Sequence, residues 1–270
     1  MKLEWRIGLI AASIITLALI SILTVTFVMR TGDDRISQAE ESYRTGESAT
    51  TIAGRQEAFN RALDMFLAVE IDHHPRFGNG HLYFDIGNTY FQLGQYPLAI
   101  LNYLRAKELM PRNEAVSRNL AVAQKKLSVN NTSSQSILDT VFLSSTLSLP
   151  ERLQLFFATC VIALLLCSGW VWTRYSWYWN SSIVTLSLVA ILSISLSFTR
   201  YIAPVRAVLV HAVELRRDAG TAFSKVGDFP IPAGSVVVVL DISPDSSWLK
   251  IATPSGTFGY APQASVAPIF

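Results

Sequence analysis

The sequence predicts a multidomain membrane protein in which an all-α helical array, apolar transmembrane helices and a small all-β barrel follow one another. Three observations predict this. Uncharged apolar runs occupy residues 7–28, 153–172 and 182–198. Between the first two, large apolar residues recur at three- and four-residue steps, the period of amphipathic helices. After the third, short β-branched runs alternate with Pro, Gly, Asp and Ser turns, the pattern of short strands. Composition agrees: half of the 270 residues are hydrophobic and 16% are charged, which is apolar for a soluble chain.

The first run, Ile7 to Val28, follows Lys2 and Arg6. At 1.5 Å per residue it reaches about 33 Å, enough for a hydrocarbon core of about 30 Å. A cleaved signal has a shorter apolar core and an A-x-A-like site. Residues 1–30 therefore read as an uncleaved signal anchor, with cleavage as the alternative. The runs Leu153–Trp172 and Ser182–Phe198 make a helical hairpin across residues 151–200. The Ser and Thr of the third run can bond back to helix carbonyls, which makes them tolerable in lipid. "TRYSWYWN" between them brings Trp177, Tyr178 and Trp179 to one end, an interfacial aromatic belt. A buried soluble hairpin is the alternative, but little polar sequence remains to wrap it. Cys160 and Cys167 lie two helical turns apart, about 10 Å. A disulfide needs Cα atoms within about 7 Å, so they read as small apolar residues.

Lys2 and Arg6 favour a cytoplasmic N-terminus, and Arg174 favours a cytoplasmic hairpin loop. The chain is then a multi-pass membrane protein, with residues 31–150 and 201–270 on the exported side. Residues 31–128 carry 11 basic and 12 acidic groups, and residues 204–270 carry 5 and 5. Neither part has the basic excess that nucleic-acid binding requires.

"GNTYFQLGQYPLAILNYLRAKELMP", Gly87 to Pro111, carries both bulk and Gly or Ala at set intervals. "LGQYP" is a tight turn, so the flanking helices pack antiparallel. Small residues sit where the axes approach and large ones fill the flanks. Pro111 ends the second helix. The pattern resembles the tetratricopeptide repeat over Gly80–Asn113. Tyr83, Ile86, Gly87, Tyr90, Ala99, Tyr103, Ala106 and Pro111 fall in its register. "RALDMFLAVEIDHHP" resembles the second helix of an earlier repeat through Ala62, Phe66 and Val69. Its partner is "ISQAEESYRTG", ending at Gly46. The polar excess between them, "ESATTIAGRQE", is a longer loop or an extended second helix. "NEAVSRNLAVAQKKL" supplies the capping helix that a solenoid's open edge needs. Residues 31–128 thus form about two repeats plus a cap, and residues 129–150 form a polar linker with a short interfacial helix at 137–143. "DHHP" at Asp72–Pro75 is a turn, since adjacent histidines diverge and no further ligand completes a metal site.

Such repeats bind protein segments on the face lined by their first helices. The resemblance implies a groove at His81, Phe84, Asn88, Phe91 and Gln92, continued by Arg118, Val122 and Lys125 on the cap. Phe84 stands where carboxylate-binding members carry Lys, which argues against capture of a C-terminal carboxylate. The alternative for Phe84 and Phe91 is packing against the loop or the upstream helix.

In residues 201–270, "AVELRRDAG", "IPAGSVVVVLD", Trp248 with "LKI", Gly259-Tyr260-Ala261 and "ASVAPI" follow in the order of a bacterial SH3-like domain, which they resemble. Trp248 and Tyr260 are its candidate ligand contacts, and a core plug is the other reading of Trp248.

The sequence has no Gly-rich phosphate loop, G-x-S-x-G, H-E-x-x-H or paired-Cys motif, and His73, His74, His81 and His211 form no triad pattern. No enzyme activity, metal or cofactor is expected. The order of export segment, repeats, hairpin and barrel resembles the BatE-like family of the bacterial Bat aerotolerance operon. Its most specific stretch is "IGNTYFQLGQYPLAILNYLRAKELMPRNEAVSRNLAVA". The resemblance implies a non-enzymatic, membrane-anchored scaffold in an envelope or oxidative-stress tolerance complex. Its partners would be membrane-anchored proteins with von Willebrand A domains, linked to a MoxR-type ATPase. The alternative function is an envelope module that holds peptidoglycan through the barrel.

Two spans separate the two polar parts, so both lie on one side whichever way the chain points. Reporters active only outside the cytoplasm are expected to work when fused at Ser128 and at Phe270 and to fail at Tyr175. Opposite results at Ser128 and Phe270 would eliminate the three-span topology.

Overall fold

A computed structural model describes residue 16 and residues 34–73, 80–129, 146–201, 203–227 and 229–270. The run Ile7–Val28 except Thr16, the 137–143 segment, His74 and Pro75 lie outside them. The described helices and strands fall into two compact bodies, one joining the helical array to the C-terminal sheet and one holding the apolar hairpin.

The helical array contains α1 (Asp34–Ser48), α2 (Ile52–His73), α3 (Gly80–Gln92), α4 (Tyr96–Leu109) and α5 (Glu114–Lys126). Consecutive helices pack in sequence, as short connections require. Gly94, at φ +76°, closes the turn between α3 and α4, a conformation glycine adopts without steric cost. Pro97 opens α4, where its missing N–H is harmless. The Asn113 side chain caps α5 by accepting from the N–H groups of Ala115 and Val116. The polar excess of the first repeat is an extended second helix, since α2 starts at Ile52 and runs for 22 residues. Gly46 does not end α1. It is buried within the helix, and a Cβ there would lie 2.8 Å from Phe59 Cε1.

The C-terminal sheet contains β1 (Val205–Leu209), β2 (Val236–Ile242), β3 (Trp248–Ala252), β4 (Phe258–Pro262) and β5 (Val266–Pro268). All pairs are antiparallel, in the order β4-β3-β2-β1-β5. A short 3₁₀ turn, Gln263–Ser265, leads into β5. The register slips between Val239 and Asp241, a bulge that bends the strand. The long connection after β1 folds back, and Arg216 exchanges both backbone bonds with Tyr260 on β4. Gly259 permits this crossing, because a Cβ there would stand 2.8 Å from Arg216 O.

β1 is buried on both faces, which joins the sheet to the helices. Ala207 and Leu209 point into the sheet's own core with Leu215, Val237 and Ile251. Val208 points the other way, into a cluster with Ala99, Ile100, Tyr103, Leu120 and Ile269. Arg206 and Glu108 pair at the rim of this junction. Gly234, at φ +83°, lets its turn lie against Leu127 and Ile100.

The second body contains α6 (Leu149–Thr173) and α7 (Ser176–Tyr201) packed as a hairpin. Ser148 and Glu151 form a capping box at the start of α6, satisfying two orphan donors. Arg174 turns the chain at φ +61°. The connection is only Arg174 and Tyr175, so Trp177, Tyr178 and Trp179 lie in the first turns of α7 rather than in a loop. A Cβ on Gly169 would meet the Tyr178 ring at 2.9 Å, and Trp170 stacks on Trp179 at 4.8 Å. Cys160 and Cys167 are free thiols. Both helices are long and apolar enough to cross a membrane, and only 11% and 17% of their most apolar stretches are buried. The core helix of a soluble protein would be mostly covered.

Gly87 sets the separation of α3 and α4. A Cβ there would lie 2.7 Å from Tyr103 Cδ1, and the Tyr103 ring is fully buried. Gly87→Ala is therefore expected to destabilise the helical array by about 1–3 kcal/mol through overpacking. Ala99→Leu, at another fully buried site, should act in the same direction. Thermal melting of the purified chain tests both, and unchanged melting of both variants would refute this helix pairing.

Candidate protein-binding groove

The first helices of the repeats, α1 and α3, and the cap α5 line the expected groove. α3 stands between its two neighbours, and hydrogen bonds tie it to each. The Tyr103 hydroxyl donates to Asn88 Oδ1 at 2.8 Å, and Asn119 Nδ2 on α5 donates to the same oxygen at 2.9 Å. With its oxygen turned toward α4 and α5, Asn88 keeps its amide hydrogens for another acceptor. On the other side, Gln92 Nε2 donates to the Tyr43 hydroxyl of α1 over a long 3.5 Å.

The expected groove residues divide by environment. His81, Gln92, Arg118, Val122 and Lys125 are exposed, and Val122 shows 48% of its surface. Arg118 pairs with Glu114 one turn back. Phe84 is half-buried and packs against two core clusters, with its ring 5.9 Å from that of Tyr103. Phe91 sits against the Tyr96 ring at 5.3 Å. The five polar and aliphatic positions are thus solvent-facing, and the aromatic pair serves packing.

Three residues at this face escaped the sequence reading: Tyr43, Asp85 and Asn119. The signal was present in repeat position. Tyr43 precedes Gly46 by the same three residues as Phe84 precedes Gly87, and Asn119 follows Asp85 by one 34-residue unit. Asp85 is half-buried, and no salt bridge reaches it among the described residues. Burial, reinforced by the nearby Glu40 carboxylate, pushes its pKa up to about 7. Burial likewise raises the Tyr43 hydroxyl, with Glu47 and Asp85 adding to the effect.

On the sheet, Leu249 and Ile251 fill the core while Trp248 alternates to the opposite face, half-buried. Tyr260 lies directly across from Lys250 and shares that face. Among the described residues no group of three or more His, Cys, Asp or Glu is placed to hold a metal ion.

Asp85 makes stability depend on pH. Its folded pKa lies above the unfolded value near 3.9, so the unfolded chain releases this proton first as pH rises. The stabilising contribution is complete below about pH 4, declines as pH rises toward 7 and is gone above it. Asp85→Asn removes that decline. The variant is expected to gain stability over the parent at pH 8, by at most about 4 kcal/mol, and little at pH 4, read from paired melting curves. A constant difference across that range would refute the assignment.

The family model described as TPR repeat matches residues 87–128, which cover the end of α3, all of α4 and all of α5. No curated protein matches the sequence. The repeat match supports an interaction scaffold for the helical array.

Proposed function

We propose that the chain is a non-enzymatic, membrane-anchored scaffold whose groove holds a segment of a protein partner. The observation that carries this is the packing of α1, α3 and α5 side by side, with a repeat-family match over 87–128 and the Asn88 side chain held through its oxygen, which accepts from Tyr103 and Asn119. An amide donor flanked by exposed apolar and polar side chains suits an extended or helical segment. Anchoring is supported by the length, apolarity and slight burial of α6 and α7. The finer reading is a Bat-type tolerance complex on the exported side of a bacterial inner membrane. The partner is then a membrane-anchored protein with a von Willebrand A domain. The order of the chain's parts supports this reading.

A second reading places the function on the sheet. The strand order, the long folded-back connection and the 3₁₀ turn before β5 fit an SH3-like domain, and Trp248, Lys250 and Tyr260 share its outer face. An aromatic and cationic face of this kind suits a polar polymer such as peptidoglycan.

Variants that test the groove must spare the core, which excludes Phe84 and Asn88. Val122→Asp changes an exposed lining position of α5. It is expected to reduce co-purification of the von Willebrand A partner about five- to thirtyfold, as loss of an anchor costing about 1–2 kcal/mol would, with unchanged melting. Trp248→Ala should leave the partner bound. Loss of the partner with Trp248→Ala alone, together with binding of purified cell wall by the parent, would move the function to the sheet.

A further inference from the structure

The guanidinium of Arg105, on α4, meets four parts of its body. Nε donates to Ile269 O at 2.9 Å and Nη2 donates to Pro268 O at 3.1 Å. Nη1 donates to Glu70 Oε1 on α2 at 3.1 Å. Cζ lies 5.6 Å from the centroid of the Tyr83 ring on α3. The Phe270 ring then meets Tyr83 edge-on at 5.7 Å. Both tail bonds go to main-chain carbonyls, so Arg105 holds the extended course of the segment that follows β5. The rigid, forked guanidinium suits that task, and a lysine ammonium does not reproduce it.

Besides Phe270 on Tyr83, the gripped segment approaches the groove through Ile269. Ile269 is buried in the cluster that contains Tyr103. The Tyr103 ring rests on Gly87, and its hydroxyl donates to Asn88. Close-packed interiors transmit displacement rather than absorb it. We infer that Arg105 is a positioning residue for the groove: by holding residues 268–270 it fixes Tyr103, and through Tyr103 the amide of Asn88. The inference gives the sheet a role in the proposed scaffold that needs no ligand of its own. It rests on the groove reading for its purpose, but its test uses no partner, so the two fail separately.

The test is hydrogen–deuterium exchange on the full chain in detergent micelles, with the peptides of α6 as internal reference. Arg105→Ala is expected to speed exchange at least about tenfold in both β5 and α3. Arg105→Lys should show the same pattern more weakly, and it is the variant to read if Arg105→Ala does not fold. Tyr103→Phe keeps the ring against Gly87 but removes the bond to Asn88. In that background Arg105→Ala should still loosen β5 while adding less than about twofold to exchange in α3, the non-additivity of coupled sites. Three outcomes would overturn the inference: no change in β5, a change in β5 with α3 unaffected, or an undiminished effect on α3 in the Tyr103→Phe background.

Discussion

The contact on which the helical body depends is the Tyr103 ring against Gly87. It brings α3 and α4 together where α3 offers no side chain, with Ala99 and Ala106 fully buried on the same helix as the tyrosine. Large side chains fill the space to either side. Because the ring is fixed there, its hydroxyl reaches Asn88 across the helix pair. Because Asn88 is held, Asn119 can bond to the same oxygen and draw α5 into place. The cluster around Tyr103 then supplies the surface on which β1 lays Val208. A glycine thus controls the helix spacing, the cap and the seat of the sheet. Burial of the tyrosine raises its pKa, which keeps the hydroxyl protonated as a donor.

Much of this was legible in the sequence, for a physical reason. Alternation of small and large residues at helical spacing is a record of axial distance, so "GNTYFQLGQYPLAILNYLRA" discloses a close helix pair. The first repeat was less legible, because polar residues between two apolar runs fit a loop or an exposed helix equally. The deciding signal was Thr51, whose Oγ1 accepts from the Gly54 N–H at 3.1 Å and starts α2, an N-cap of the usual kind. The strands of the sheet were legible from their turns. The joining of sheet and helices was not. "RAVLV" reads as an apolar run, as strands covered on both faces do, but such a run does not say what covers the second face. Arg105 gave no signal, because its acceptors are carbonyls 163 and 164 residues away.

Two partly buried charged groups show how the body treats charge. Arg105 and Glu70 are each about 20% exposed and face each other at 3.1 Å. Desolvation of such a pair is offset only when further hydrogen bonds satisfy the remaining donors, and here the two tail carbonyls do so. Asp85 has no such arrangement. Burial, with the Glu40 carboxylate nearby and no cation paired to it among the described residues, holds its proton toward neutral pH. The face between α1 and α3 is therefore less negative near pH 7 than its count of carboxylates suggests. A protonated carboxyl donates a hydrogen bond where a carboxylate only accepts. In its protonated form Asp85 joins the Asn88 amide as a hydrogen-bond donor along α3.

The distribution of covered and open surface narrows where such a partner would bind. A two-repeat array has two long faces. The second helices, α2 and α4, take up Pro268, Ile269 and β1 through Arg105 and the Tyr103 cluster, so that face is occupied by the chain itself. The first helices and the cap keep His81, Gln92, Arg118, Val122 and Lys125 exposed. Solenoids of few repeats are marginal because each unit covers only its neighbours, and the sheet makes up the missing contact from one side. The sheet therefore covers the side of α4 and leaves His81, Gln92, Arg118, Val122 and Lys125 exposed. At the end of α5 the turn at Gly234 lies against Leu127 and Ile100, so the sheet covers this end of the array as well.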